Sequence, residues 1–209
     1  FFSGGIDSSV LLAMMSRLNE RPVKAMTAGF SGTVTHDERS HARSVAKAVG
    51  AVHIGVEFSE EDFYNLLPKI ASVVDDPTAD YAILPTYKLA ACARSEGLKV
   101  VLSGEGGDEL FGGYGRYRHA MRPWPFSKLM RRKGIFHGLN VLRENSNYWR
   151  AGFALSEKTA QSPERSALQI AQAIDCADWL PADLLTKLDR CLMAHGVEGR
   201  VPFLDPAIA

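Results

Sequence analysis

No sign of charge dominates this 209-residue chain, because 24 lysines and arginines balance 24 aspartates and glutamates. That balance gives no support for nucleic acid or an anionic membrane as the main partner. Cysteine is scarce too. Cys92, Cys176 and Cys191 are odd in number and lack metal-ligand spacing, which points to reduced thiols in a cytoplasmic protein. No signal peptide is expected, and the sequence given has no apolar run long enough to cross a membrane, no internal repeat and no low-complexity tract. An initiator methionine is missing, and only two residues precede the first turn. Core strands usually need about five or six residues, so the chain is expected to begin inside its first strand, as a fragment of a longer protein. What is present, at 46% hydrophobic residues, suffices for one full core and a smaller helical appendage. The densest basic cluster, Lys128 to Lys133, reads as a solvated helix face.

The opening stretch, FFSGGIDSSVLLAMM, concentrates unusual residues. Two phenylalanines run into a Gly/Ser turn. Val10, Leu11, Met14, Met15 and Leu18 then recur at the three- and four-residue spacing of a helix with one buried face. A strand end, a Gly/Ser turn and a helix start gather backbone N–H groups at one point, where the helix dipole adds about half a positive charge. Gly4 and Gly5 permit positive φ and close approach of a ligand, while Ser3, Ser8 and Ser9 add hydroxyl donors. The stretch has no lysine and is neither of the two familiar Gly-rich phosphate motifs. It has Asp7 instead, which would repel a polyphosphate unless a cation such as Mg²⁺ lay between them. Taken alone, a plain Gly/Ser helix cap with Asp7 as a first-turn charge is the competing reading.

Further along, Val23–Phe30 reads as a buried strand, and Thr35 with Glu38 as a capping box for a helix that Gly50 closes. Ala51–Phe58 alternates like a strand. Ser59 and Asp62 begin a helix with Phe63, Leu66, Leu67, Ile70 and Val73 on one face, stopping at Asp75-Asp76-Pro77. A helix from about Pro85 to Glu96 ends at Gly97, and Lys99–Ser103 is a short strand. This alternation predicts an α/β fold with a doubly wound parallel sheet and ligands at the carboxyl ends of its strands. Gly115 to Leu180 is expected to add a helical segment, with residues 115–209 as the mainly helical part.

The strand Lys99–Leu102 enters SGEGGDELFGGY, a loop both Gly-rich and acidic. A Gly-rich turn or an acidic cap is common separately; together, after a core strand, they favour a ligand site. In a doubly wound sheet this loop and Ser3–Ser9 face one crevice. The first would offer N–H donors to phosphates and the second carboxylates, with Asp7 and Asp108 as the natural Mg²⁺ ligands.

Here the residues carry a resemblance. SGGIDSS resembles the pyrophosphate loop of the N-type ATP pyrophosphatases, and LSGEGGDELFGGY the second signature of the asparagine synthetase family within that group. LPADLLTKLDRCLMAHGVEGRVPFLDP is similar to the family's later signature. The resemblance implies an adenine nucleotide alpha hydrolase-like domain over residues 1–209 that uses ATP and Mg²⁺. In this family aspartate attacks the α-phosphorus, pyrophosphate leaves, and ammonia displaces AMP from β-aspartyl-AMP. Matched by position, Ser3, Gly4, Gly5, Asp7 and Ser8 form the pyrophosphate site. Phe1 and Ala28 line the nucleotide, Ser103 and Gly104 contact it, and Glu105 serves formation and use of the acyl-adenylate. Lys187, Asp189 and Arg190 either face the same crevice or form a helix-surface cluster.

The resemblance also implies an N-terminal glutaminase domain that releases ammonia, which is absent here, and a later catalytic lysine beyond Ala209. The chain by itself is therefore expected to be inactive, its parent active, cytoplasmic and with a homodimer as the assembly to test for. Gly199 stands where relatives usually carry a side chain, so its segment is expected to be looser. The competing functions are a related adenylating synthetase that forms another amide or a lactam, and a non-catalytic ATP-binding module. A module has no need of Glu105 and Asp108.

Overall fold

The computed structural model describes residues 1–30, 38–75, 78, 80–123, 126 and 148–208, with only the backbone for 148–151. Thr35 of the expected capping box, the Asp76-Pro77 stop and the Lys128–Lys133 cluster lie outside the described residues. The chain divides into two compact units, Phe1–Glu105 with Leu185–Ala209, and Gly106–Leu184.

The first unit begins with helix α1 (Ile6–Leu18), strand β1 (Lys24–Phe30), α2 (Arg39–Ala48) and β2 (Val52–Phe58). Next come α3 (Glu60–Ala71), α4 (Ile83–Ser95) and β3 (Val100–Leu102). The second unit carries α5 (Gly107–Phe111), α6 (Gly115–Ala120), α7 (Tyr148–Ala160) and α8 (Ala167–Ala177). A π-helical turn, Leu180–Leu185, leads to α9 (Thr186–Met193), β4 (Glu198–Arg200) and a 3₁₀ turn, Pro202–Leu204.

The fold is mixed α/β with parallel strand pairs. β1 and β2 pair from Lys24↔Val52 to Phe30↔Phe58, and β3 pairs with β4 from Val100↔Glu198 to Leu102↔Arg200. A parallel pair needs a crossover, and α2 supplies it between β1 and β2. The segment before α1 joins the two pairs: Phe2 N donates to Met26 O at 2.8 Å and Phe1 N to Leu102 O at 2.5 Å. β1 is buried on both faces, as its run Ala25-Met26-Thr27 demands. Ala25 packs with Phe2, Leu12, Ala42 and Ala46 on the α1/α2 side. Met26 packs with Leu89, Ala93, Leu188 and Leu192 on the α4/α9 side.

Local chemistry sets several boundaries. Ser59 and Asp62 begin α3 as expected, and the structure shows that they do so as a reciprocal capping box; Gly50 and Gly97 end α2 and α4 at φ 72° and 74°. Two expectations need correction. The buried residue of α1 is Leu12, whereas Val10, Met14 and Leu18 are exposed; the helix turns its Leu11–Leu12–Met15 side inward instead. Gly199 does not loosen its segment, because it lies in β4 opposite Val101, and a Cβ there would come 2.8 Å from Leu192 Cδ1. A fully buried leucine takes the space that a side chain would need.

The second unit packs Tyr117, Phe153, Ala160, Ala171 and Ile174 into its own core. Inside it, Arg116 Nε donates to the fully buried Asp175 at 2.8 Å, and its guanidinium stacks 3.6 Å above the Tyr114 ring. Ser166 and Gln169 cap α8 reciprocally. The three cysteines are free, and burial pushes the Cys191 thiol up to about 12. Among the described residues no helix is long and apolar enough to cross a membrane.

Candidate functional site

Phe2 is buried and fixes where the first loop leaves the sheet. Its carbonyl accepts from Thr27 Oγ1 at 2.6 Å, and Thr27 Oγ1 lies 3.1 Å from His53 Nε2. The chain then turns at Gly4, φ 84°, and Gly5 precedes α1. The serines brace this turn. Ser3 Oγ accepts from Gly5 N at 3.2 Å, and Ser8 Oγ donates to Gly5 O at 3.2 Å, with the two hydroxyls 3.2 Å apart. Gly5 has no side-chain cap, so the first turn of α1 keeps donors turned toward the loop mouth, the arrangement that suits an anion. Asp7, half-buried, sits in that first turn.

The second loop comes to the first through Gly104. A Cβ at that position would lie 3.3 Å from Ser8 N and 3.5 Å from Asp7 Cβ, so glycine lets the two loops touch. Ser103, buried, is held by its N–H donating to Arg200 O at 2.9 Å. Ala28 lies half-buried near the carboxyl end of β1, and Phe1 packs with it against the same core cluster. Phe1, Ser3, Gly4, Gly5, Asp7, Ser8, Ala28, Ser103, Gly104 and Glu105 thus all belong to the first unit.

Two residues of α2 escaped the sequence reading. His41 Nε2 lies 3.2 Å from Gly4 O, and a Cβ on Gly4 would meet its ring at 2.9 Å. Arg39 runs across Gly29 and Gly55, filling the channel that these two glycines leave over β1 and β2. Neither contact has a local sequence signal, since both depend on the crossover bringing α2 back beside the loop. The charged residues Lys187, Asp189 and Arg190 of α9 differ in their surroundings. Lys187 is buried and donates to Asp80 at 2.6 Å, Arg190 pairs with Asp75, and Asp189 is exposed. Lys187 and Arg190 are thus committed to ion pairs with the segment that precedes α4.

Asp108 belongs to the second unit, half-buried in α5, whose N-cap Gly106 has φ 92°. Among the described residues no three or more His, Cys, Asp or Glu side chains gather as a metal cage. Such a cage is not what Mg²⁺ requires beside a polyphosphate, because it usually takes one or two carboxylates and completes its shell with phosphate oxygens and water. Asp7 in the first unit and Asp108 in the second each carry a hard carboxylate oxygen donor. A cavity of about 430 Å³ lies beneath α1, lined mainly by apolar residues such as Leu11, Leu12, Met15 and Val101, with Phe1 and Ser8 also at its wall.

Comparison with known proteins identifies the family. The family described as Asparagine synthase matches residues 1–209. A putative glutamine-hydrolyzing asparagine synthetase of Mycobacterium bovis is 35% identical over 100% of this chain and 37% of its own length. Glutamine-hydrolyzing asparagine synthetase 1 of Bacillus subtilis is 30% identical over 100% of this chain and 39% of its own. Asparagine synthetase B of Escherichia coli is 26% identical over 97% and 31%. The chain spans less than two-fifths of these relatives. With two signature loops touching at Ser8 and Gly104 and a match over every residue, the chain belongs to the asparagine synthase family.

Proposed function

We propose that the parent protein makes asparagine from aspartate, ATP and ammonia by way of β-aspartyl-AMP, as a ligase that takes its nitrogen from glutamine. The apposition of Gly104 with Ser8 carries this reading, because it places the strand-end loop that bears Glu105 beside a phosphate-type helix start. Two further features support a doubly wound sheet beneath the site. Phe1 and Phe2 hydrogen-bond to both strand pairs, and β1 has helices on both faces.

In this reading the N–H groups at Gly4–Ser8 hold the β- and γ-phosphates and stabilise charge growing on the leaving pyrophosphate. Ser3, Gly5 and Ser8 keep the loop shaped for that task, while Phe1, Ala28, Ser103 and Gly104 line the nucleotide. Asp7 and Asp108 are the carboxylates that would hold Mg²⁺, which would neutralise phosphate charge. An oxygen of the aspartate β-carboxylate bonds to the α-phosphorus as the bond to pyrophosphate breaks. Ammonia then attacks the acyl carbon, AMP leaves, and Glu105 takes the proton that nitrogen loses. Ammonia comes from a glutaminase domain of the parent.

The test is nucleotide analysis and aspartate-dependent ATP–pyrophosphate exchange on the full protein. AMP and pyrophosphate formed only with aspartate support the reading. Exchange driven by another acid makes the protein a related amide- or lactam-forming synthetase. ATP binding without turnover leaves only a nucleotide-binding module.

A further inference from the structure

Asp108 and Gly113 meet across the end of α5. Gly112 N and Gly113 N both donate to Asp108 O, at 2.9 and 3.0 Å, and Gly112 takes φ 75°. This tight ending folds position 113 back over the Asp108 side chain. A Cβ at Gly113 would fall on Asp108 Oδ1, inside any allowed contact, and 2.9 Å from its Cγ. Gly113 is not among the positive-φ glycines, so an L side chain is barred by the carboxylate and not by the backbone.

The surrounding backbone has little freedom to yield. Glu109, 1% exposed, accepts from Tyr114 Oη at 2.7 Å. Gln172 Nε2 of α8 donates to Glu109 O at 2.8 Å and Leu110 O at 2.7 Å. Asp108 is half-buried, and its side chain is the free end of the contact. An added methyl group at 113 is therefore relieved by rotation of Asp108 about its side-chain bonds, with the loop staying in place. We propose that Gly113 is a positioning residue, whose missing side chain is the space that holds the Asp108 carboxylate in its working orientation. This rests on the reading of Asp108 as a Mg²⁺ ligand. Placing a first ligand through a neighbour of fixed backbone is the kind of support that metal sites depend on.

The experiment compares Gly113→Ala, Asp108→Ala and the double variant in the full protein. A crystal structure of Gly113→Ala is expected to show the Asp108 carboxylate turned away and α5 unmoved. The MgCl₂ concentration for half-maximal ATP binding, read by calorimetry, should rise about tenfold in either single variant. The double variant should need no more Mg²⁺ than Asp108→Ala alone. The inference is overturned if the carboxylate keeps its place beside the new methyl, or if alanine at 113 costs as much without Asp108 as with it. It is overturned as well if the carboxylate turns while the Mg²⁺ requirement stays constant in both single variants. The wider reading stands apart from these outcomes: aspartate-dependent exchange absent from the wild type defeats that reading, whatever Asp108 does in the variant.

Discussion

Lys187 Nζ donates to Asp80 Oδ2 at 2.6 Å, with the two side chains only 6% and 14% exposed. Asp80 is also tied to the start of α4, accepting from Ala82 N at 2.9 Å. Lys187→Ala leaves that largely covered carboxylate without its cation, a change that costs up to about 3 kcal/mol, the lower end for a buried pair. The expected outcome is a clearly lowered thermal midpoint with the ATP dissociation constant of the surviving folded protein unchanged. Loss of ATP affinity without loss of stability would return Lys187 to the site.

Asp62 gives a pH dependence with a defined sign. Hydrogen bonds from Lys88 first, and from the Ser59 backbone next, hold its carboxyl at about 2, below the ordinary 3.8. A depressed carboxyl contributes stability that is present above the unfolded value and lost as pH falls through the folded one. Between pH 4 and pH 2 the wild type should therefore lose more thermal stability than Asp62→Asn. Parallel curves of melting temperature against pH for the two proteins would refute this.

At Gly104, alanine meets Ser8 N at 3.3 Å and valine adds two further methyl groups. Both should push the two loops apart without disturbing the core. Displacing a binding loop by a fraction of an ångström typically costs tenfold or more, so ATP affinity should fall by about that factor in Gly104→Ala and further in Gly104→Val. Calorimetric titration measures it, with the melting temperature as the control.

Glu105→Ala should slow the chemical step about 10²–10⁴-fold, the usual contribution of a placed acid or base. ATP affinity should stay near that of the wild type. Single-turnover rates alongside the nucleotide dissociation constant separate these effects. Intact chemistry with collapsed ATP binding would make Glu105 a binding residue.

Much of the first unit was legible before any coordinates. Val23–Phe30 and Ala51–Phe58 differ from β1 and β2 by one residue at the start: β1, buried as a run, announces itself as an apolar stretch, and β2, only partly buried, by its alternation. Capping at Ser59 and the closing Gly50 and Gly97 were equally local signals. β4 was not legible: Glu-Gly-Arg carries no strand signal, and only pairing with β3 makes it one. The orientation of α1 was missed because Val10, Leu11, Met14 and Met15 are spaced well enough to offer two apolar sides. Sequence named the loop residues, but the His41 contact to Gly4 and the Arg39 path across Gly29 arise from the crossover and have no local trace.

Ser8 and Gly104 sit far apart along the chain yet so close in space that an added Cβ at 104 would come 3.3 Å from Ser8 N, which bears on how such domains exchange parts. A hybrid built with a single crossover between them inherits its two halves of the mouth from different parents, and a mismatch in bulk is felt at that close approach. A cassette running from β1 through α4 should be exchangeable while residues 3–8 and 103–105 stay from the same parent, provided that it keeps Thr27 and His41, which touch Phe2 and Gly4. Viable hybrids within the family should therefore be found mostly among the double exchanges.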